Sequence, residues 1–147
     1  AMNAQNGAGS DPVQQDIIDE FSLFPEWLDR YQYLIDLGRK LEPLDESEKT
    51  DDALLEGCQS KVWFHIDGDA EALRIRANSD AAIVSGLIAL VLRVYSGRSA
   101  REILDLQPYF IEAIGLRDHL SPTRSNGLAA LLNEVRAAAA VELAAAS

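Results

Sequence analysis

Residues 81 to 92 read AAIVSGLIALVL, apolar except for Ser85 and Gly86. A segment this apolar has no face to give to water, so the rest of the chain must wrap around it. It is too short to cross a bilayer, which takes about 20 apolar residues. Its flanks punctuate a helix. Ser79 is a suitable N-cap, Asp80 suits the positive end of the dipole, and Gly97 suits the close. The segment predicts a central helix under a sheet.

The sheet comes just before it. In KVWFHID, Val62, Phe64 and Ile66 alternate with Trp63, His65 and Asp67. GDAE is a turn, and ALRIRA alternates again, with Leu73 and Ile75 opposite Arg74 and Arg76. Two such runs predict an antiparallel hairpin with one buried face. Upstream, Asp11, Pro12 and Gln14 have the spacing of a capping box, and Val13, Ile17 and Phe21 share a helical face. After Pro25, the recurrence of Trp27, Tyr31, Leu34, Ile35 and Gly38 predicts a second helix. LEPLDESEKTDD lacks periodicity and reads as a long, exposed acidic loop. Downstream, Ser99 and Glu102 form a capping-box pair, PYFIEAI is a short helix ended by Gly115, and Ser121–Pro122 opens an alanine-rich helix. The 147 residues suit one domain. The expectation is an α/β (α+β) fold, a small antiparallel sheet packed against several helices. Residues 1–10 are expected as a flexible tail and residues 11–147 as the domain.

Charge and cysteine count narrow the function. A net charge of −11 repels phosphate backbones and anionic lipid headgroups, so nucleic acid and membrane surfaces are poor partners. A partner with a basic patch is compatible. One cysteine forms no internal disulfide, and no signal-peptide pattern opens the chain, which fits a reducing, cytoplasmic compartment. With two histidines and one cysteine, structural zinc spacings are absent and no metal site is expected.

That cysteine, Cys58 in LLEGCQSKVW, is the candidate for chemistry. A lone cysteine commonly serves as a small buried hydrophobe. Its neighbours also suit a reagent. Gly57 frees the backbone for a tight turn, Gln59 and Ser60 are polar, and Lys61 would favour a thiolate if close. A pairing of Cys58 with His119 is open, as is a plain strand role for His65. Arg124 sits in the first turn of the last helix, where a cation is disfavoured unless it has a partner. On these residues alone, Cys58 is either packing or reagent.

Three stretches resemble the SufE family of sulfur acceptors in iron–sulfur cluster assembly. They are GCQSKVW, NSDAAIVSGLIALV and LRDHLSPTRSNGLAALL, the last similar to a family segment L-[ST]-P-x-R-x-x-G-L; YLIDLGRKL also fits. The resemblance runs from about residue 17 to 138 and departs at ANSDAA, before the central helix. GCQSKVW and SDAAIV are more similar to SufE than to its close relative CsdE. The resemblance implies a single domain with the fold of IscU/NifU-type scaffolds. It implies that Cys58 takes persulfide sulfur from a SufS-like cysteine desulfurase, stimulates that enzyme, and passes sulfur to a SufBCD-like scaffold. The chain would then be an accessory protein, not an enzyme. It would hold no cofactor, the pyridoxal phosphate being the desulfurase's. Asp80 and Arg124 match motif positions near that cysteine or at the desulfurase contact, with Gly57 and Gln59 as loop neighbours.

Two further expectations follow. A second thiol would expel sulfide from a Cys58 persulfide, so a single cysteine suits a carrier. A carrier also needs shelter, so the sulfur should rest against apolar surface and swing out on docking. The alternatives are a stand-alone redox-sensing thiol and a binding module with an inert cysteine. The oligomeric state, a homodimer included, is left open.

Overall fold

The structure is a computed structural model and describes residues 11–147. The tail expected at residues 1–10 lies outside the described residues. Among these residues there are seven α-helices and one two-stranded sheet.

The central helix is α3, Ala82–Tyr95, with Leu87, Ile88, Leu90, Val91 and Val94 buried. Strands β1, Val62–Asp69, and β2, Ala72–Ser79, form an antiparallel hairpin. Phe64 pairs with Ala77 and Ile66 with Ile75, while His65 pairs with Arg76 and Asp67 with Arg74. The expected alternation therefore holds, and Val62, Leu73, Ile75 and Ala77 are buried against the helices. The free edge of β2 is closed by the turn after α3. Leu73 N–H donates to Arg98 O at 2.9 Å, and Ile75 N–H donates to the Ser96 hydroxyl at 2.9 Å.

The start of α3 differs from the sequence expectation. Ser79 ends β2, and the helix begins at Ala82 with Ala81 as N-cap. The Ser79 hydroxyl accepts from Ala81 N–H, so it shapes the corner and does not cap the helix. Strand pairing to Val62 holds Ser79 in the ladder.

Helices α1, Pro12–Ser22, and α2, Trp27–Gly38, cover α3 on one side. Where α2 crosses α3, a Cβ on Gly86 would lie 2.2 Å from Leu34 O, and one on Gly38 would lie 2.7 Å from Gly86 N. Glycines at both positions let the two backbones approach. Asp11 caps α1 as expected. Gln14, in contrast, does not reach back to complete a capping box. It is fully buried, donates to Gln107 O at 2.9 Å and accepts from Phe110 N–H at 3.0 Å. The short helices α4, Ala100–Asp105, α5, Phe110–Ala113, and α6, Leu116–His119, lead to the long α7, Pro122–Ala145. The Ser99–Glu102 and Ser121 caps form as expected, and Gly115 precedes α6 at φ +78°.

The acidic segment is not a free loop. Two 3-10 turns, Glu46–Glu48 and Asp51–Ala53, lie across the outer face of the hairpin. Glu48 accepts from Arg76 through both carboxylate oxygens, at 3.1 and 2.7 Å, and its carbonyl meets His65 Nε2 at 2.8 Å. The Arg76 guanidinium holds the Glu48 carboxyl down at about 2. Glu42 pairs likewise with Arg74. The polar strand face thus recruits the acidic segment by charge. No helix among the described residues is long and apolar enough to cross a membrane.

Candidate functional site

Cys58 lies in the connection from the acidic segment to β1. That connection is closed at its base. Leu55 N–H donates to Val62 O at 2.9 Å, and Leu54 bridges Trp63. The Asp80 carboxylate then accepts from Lys61 N–H at 3.1 Å, and Asp80 N–H donates to Lys61 O at 3.3 Å. Residues 56–60 therefore project from a fixed stem. Gly57 makes the turn at φ +89°, and a Cβ there would come 3.1 Å from the Ala130 methyl of α7. Left-handed backbone and close approach both favour glycine at that point.

The loop lays the Cys58 side chain on α7, half-buried. Its sulfur is 3.7 Å from the Gly127 carbonyl, toward which the S–H is a weak donor. Beside it is a cavity of about 30 Å³, room for one water-sized group. Val62 of β1, Val84, Leu87 and Ile88 of α3, and Leu128 and Leu131 of α7 supply its apolar walls. Gln59, Ser60, Thr123 and Arg124 form the polar mouth. A more open polar hollow outside is lined by Gln59, Ser60, Ser121, Thr123 and Arg124. Burial pushes the Cys58 thiol up from its ordinary value. Charged neighbours do not enter, so the docked sulfur is a protonated thiol and a poor nucleophile.

The structure brings Cys58, Gln59 and Arg124 to one place, with Gly57 as the turn behind the sulfur. Arg124 is exposed, and its guanidinium forms no ion pair among the described residues. Asp80 does not line the cavity; it fastens the loop's base. The side chain of Lys61 is not at the cavity either, and the thiol gains no help from it. His119 stacks on Trp27 at 3.8 Å, with Nδ1 3.0 Å from Gly115 O, so it makes no pair with Cys58. His65 anchors the acidic segment. No metal-holding group of His, Cys, Asp or Glu occurs among the described residues.

Sequence reasoning gave no role to Gly127, although it is the glycine of the segment similar to L-[ST]-P-x-R-x-x-G-L, and none to the apolar walls from α3. The walls were legible only as core residues. Gly127 left a signal, a glycine in the second turn of a helix otherwise rich in alanine.

Comparison with known proteins identifies the family and the fold. The SufE family, described as an Fe-S metabolism associated domain, matches residues 15–139. An uncharacterized SufE-like protein of Rhizobium meliloti is 42% identical over 128 residues, covering 84% of this chain and 91% of its own. One from Rhizobium etli is 43% identical over 134 residues, covering 88% and 90%. The solution structure of a hypothetical protein from Thermus thermophilus shares the fold, with TM-score 0.73 and 24% identity over 90% of this chain and 97% of that one. With most of its length matched, this chain belongs to the SufE family, whose domain is associated with iron–sulfur metabolism.

Proposed function

We propose that the protein is a sulfur acceptor and carrier that works through Cys58. It takes persulfide sulfur from a cysteine desulfurase, stimulates that enzyme and passes sulfur to a SufBCD-like assembly scaffold. The observation that carries this reading is the docked thiol. A single cysteine sits on a loop with a fixed stem, its sulfur half-buried against α7 at the wall of an apolar cavity.

Burial and reactivity are coupled at such a site. Docked against α7 the thiol keeps its proton; undocking removes the cause of the raised value, so ionisation and access arrive together. The undocked thiolate attacks the outer sulfur of the donor persulfide. A new S–S bond forms at Cys58, the donor's S–S bond breaks, and the donor departs as a thiolate. No net oxidation occurs. The chain acts as an accessory protein in the cytoplasm, and the pyridoxal phosphate of the overall reaction is the desulfurase's. Arg124, exposed at the mouth and without an ion-pair partner among the described residues, contacts the desulfurase. A redox sensor fits less well, because sensing thiols are acidic and accessible.

Mass spectrometry after incubation with a cysteine desulfurase and cysteine tests the reading. The Cys58 peptide is expected to gain one sulfur atom. Cys58→Ser should fold normally and lose all stimulation of the desulfurase; full stimulation by that variant rejects the acceptor role. Labelling by peroxide alone would point to a redox switch, and no labelling to a binding module. Arg124→Ala should weaken stimulation while leaving the melting temperature unchanged. An unaltered desulfurase rate returns Arg124 to ordinary surface.

A further inference from the structure

Gly127 occupies the second turn of α7 in ordinary right-handed helical conformation. Glycine is a poor helix former, and this helix is otherwise rich in alanine. Other glycines of the fold have a local reason. Gly57, Gly68, Gly97 and Gly115 have positive φ, and a Cβ at Gly38 or Gly86 would collide with backbone. Gly127 has neither reason. A Cβ there would meet one atom of another element, Cys58 Sγ, at 3.6 Å, an ordinary contact distance. An alanine would fit beside the resting thiol and improve the helix. What the glycine preserves is an unfilled space next to the sulfur, continuous with the cavity it lines.

We propose that Gly127 holds that space for the outer sulfur of a Cys58 persulfide, so that the loaded loop can dock as the empty one does. The proposal rests on the acceptor reading above. An S–S bond is about 2.05 Å long. An outer sulfur directed toward α7 needs the side of Sγ on which an alanine methyl would stand 3.6 Å away, and the two cannot share it. The cavity of about 30 Å³ holds one group of that size. Once docked, the persulfide faces Val84, Leu87 and Leu131, away from soluble thiols. Gly127 is thus a positioning residue that acts on the lifetime of the cargo and leaves the empty thiol as it is.

The test loads the full chain chemically. Incubation with inorganic polysulfide lets the Cys58 thiolate attack a sulfane sulfur, and the polysulfide leaves one sulfur shorter. Glutathione is then added, and loss of the bound sulfur is followed by intact mass. Gly127→Ala should lose sulfur about fourfold faster than the wild type, the factor that one methylene-sized contact represents. Its melting temperature should be equal or higher, and alkylation of its unloaded thiol unchanged. Equal persulfide lifetimes overturn the proposal. Asn126→Ala, an exposed position one residue earlier, is the control for helix propensity. It should keep the wild-type lifetime, and an equal loss there also overturns the proposal. If Gly127→Ala fails to fold, Val84→Ile decides by filling the cavity from α3; faster loss supports the role of the space and an unchanged lifetime rejects it. Chemical loading separates the two ideas. A chain that shelters polysulfide-derived sulfur but receives none from a desulfurase sinks the acceptor reading alone.

Discussion

Cys58 illustrates how little a residue's own sequence neighbours say about its reactivity. Lys61 is three residues away, yet the thiol is governed by the cavity walls of α3 and α7. Gly57 and Cys58 could be singled out from sequence because glycine beside a lone thiol is a local signal. Gly127 could be noticed, as a glycine in an alanine-rich helix and in the family-like segment, but its place beside the sulfur exists only once α7 lies against the loop. The raised thiol has a pH consequence. The folded chain keeps the Cys58 proton to higher pH than the unfolded chain does. Its contribution to stability is therefore complete below the ordinary thiol value and is lost as pH rises through the folded one. Alkylation of Cys58 by iodoacetamide, followed from neutral to alkaline pH, should show a midpoint above the ordinary thiol value of about 8.5. Urea denaturation should return the midpoint to that value. A native midpoint at or below it would mean that the sulfur spends its time outside the cavity.

Elements were legible where periodicity and caps coincide. The hairpin's alternation, the Ser99 and Ser121 caps and the buried run of α3 could all be read, since each depends on neighbours a few residues apart. The start of α3 was misplaced because Ser79 is claimed by the strand ladder, a long-range constraint that overrides a good capping residue. The acidic segment looked like solvent-exposed loop because its partners, Arg74 and Arg76, are on a strand far along the chain. The crossing of α2 and α3 offers a sharp test at this scale. A Cβ at Gly86 would be 2.2 Å from Leu34 O, a backbone atom that cannot swing aside. Gly86→Ala should destabilise the protein by about 1–3 kcal/mol despite better helix propensity. Chemical denaturation measures it, and a neutral or stabilised variant would show that the helices can separate at no cost.

Across the whole molecule, Gln14 ties the first helix to the segment before α5. It is fully buried, and both ends of its amide are used. Gln14→Leu would leave Phe110 N–H without a partner in the interior, while Gln107 O keeps its bond from Tyr109 N–H. A loss of about 1–3 kcal/mol is expected from the one unsatisfied N–H. If Gln14→Leu melts at the wild-type temperature, the tie is dispensable. The site itself should be untouched, because Gln14 does not line the cavity of Cys58. The closed stem of the Cys58 loop, finally, sets a working radius. With Leu55 hydrogen-bonded to Val62, three residues link the stem to Cys58 on its shorter side. At about 3.3–3.6 Å per extended residue, the Cys58 backbone travels no more than about 11 Å from that anchor while the fold stays intact. A donor sulfur recessed more deeply than this tether, extended by one side chain, is beyond reach. The depth of the pocket that a partner presents is therefore a selection rule for which persulfides this protein can unload.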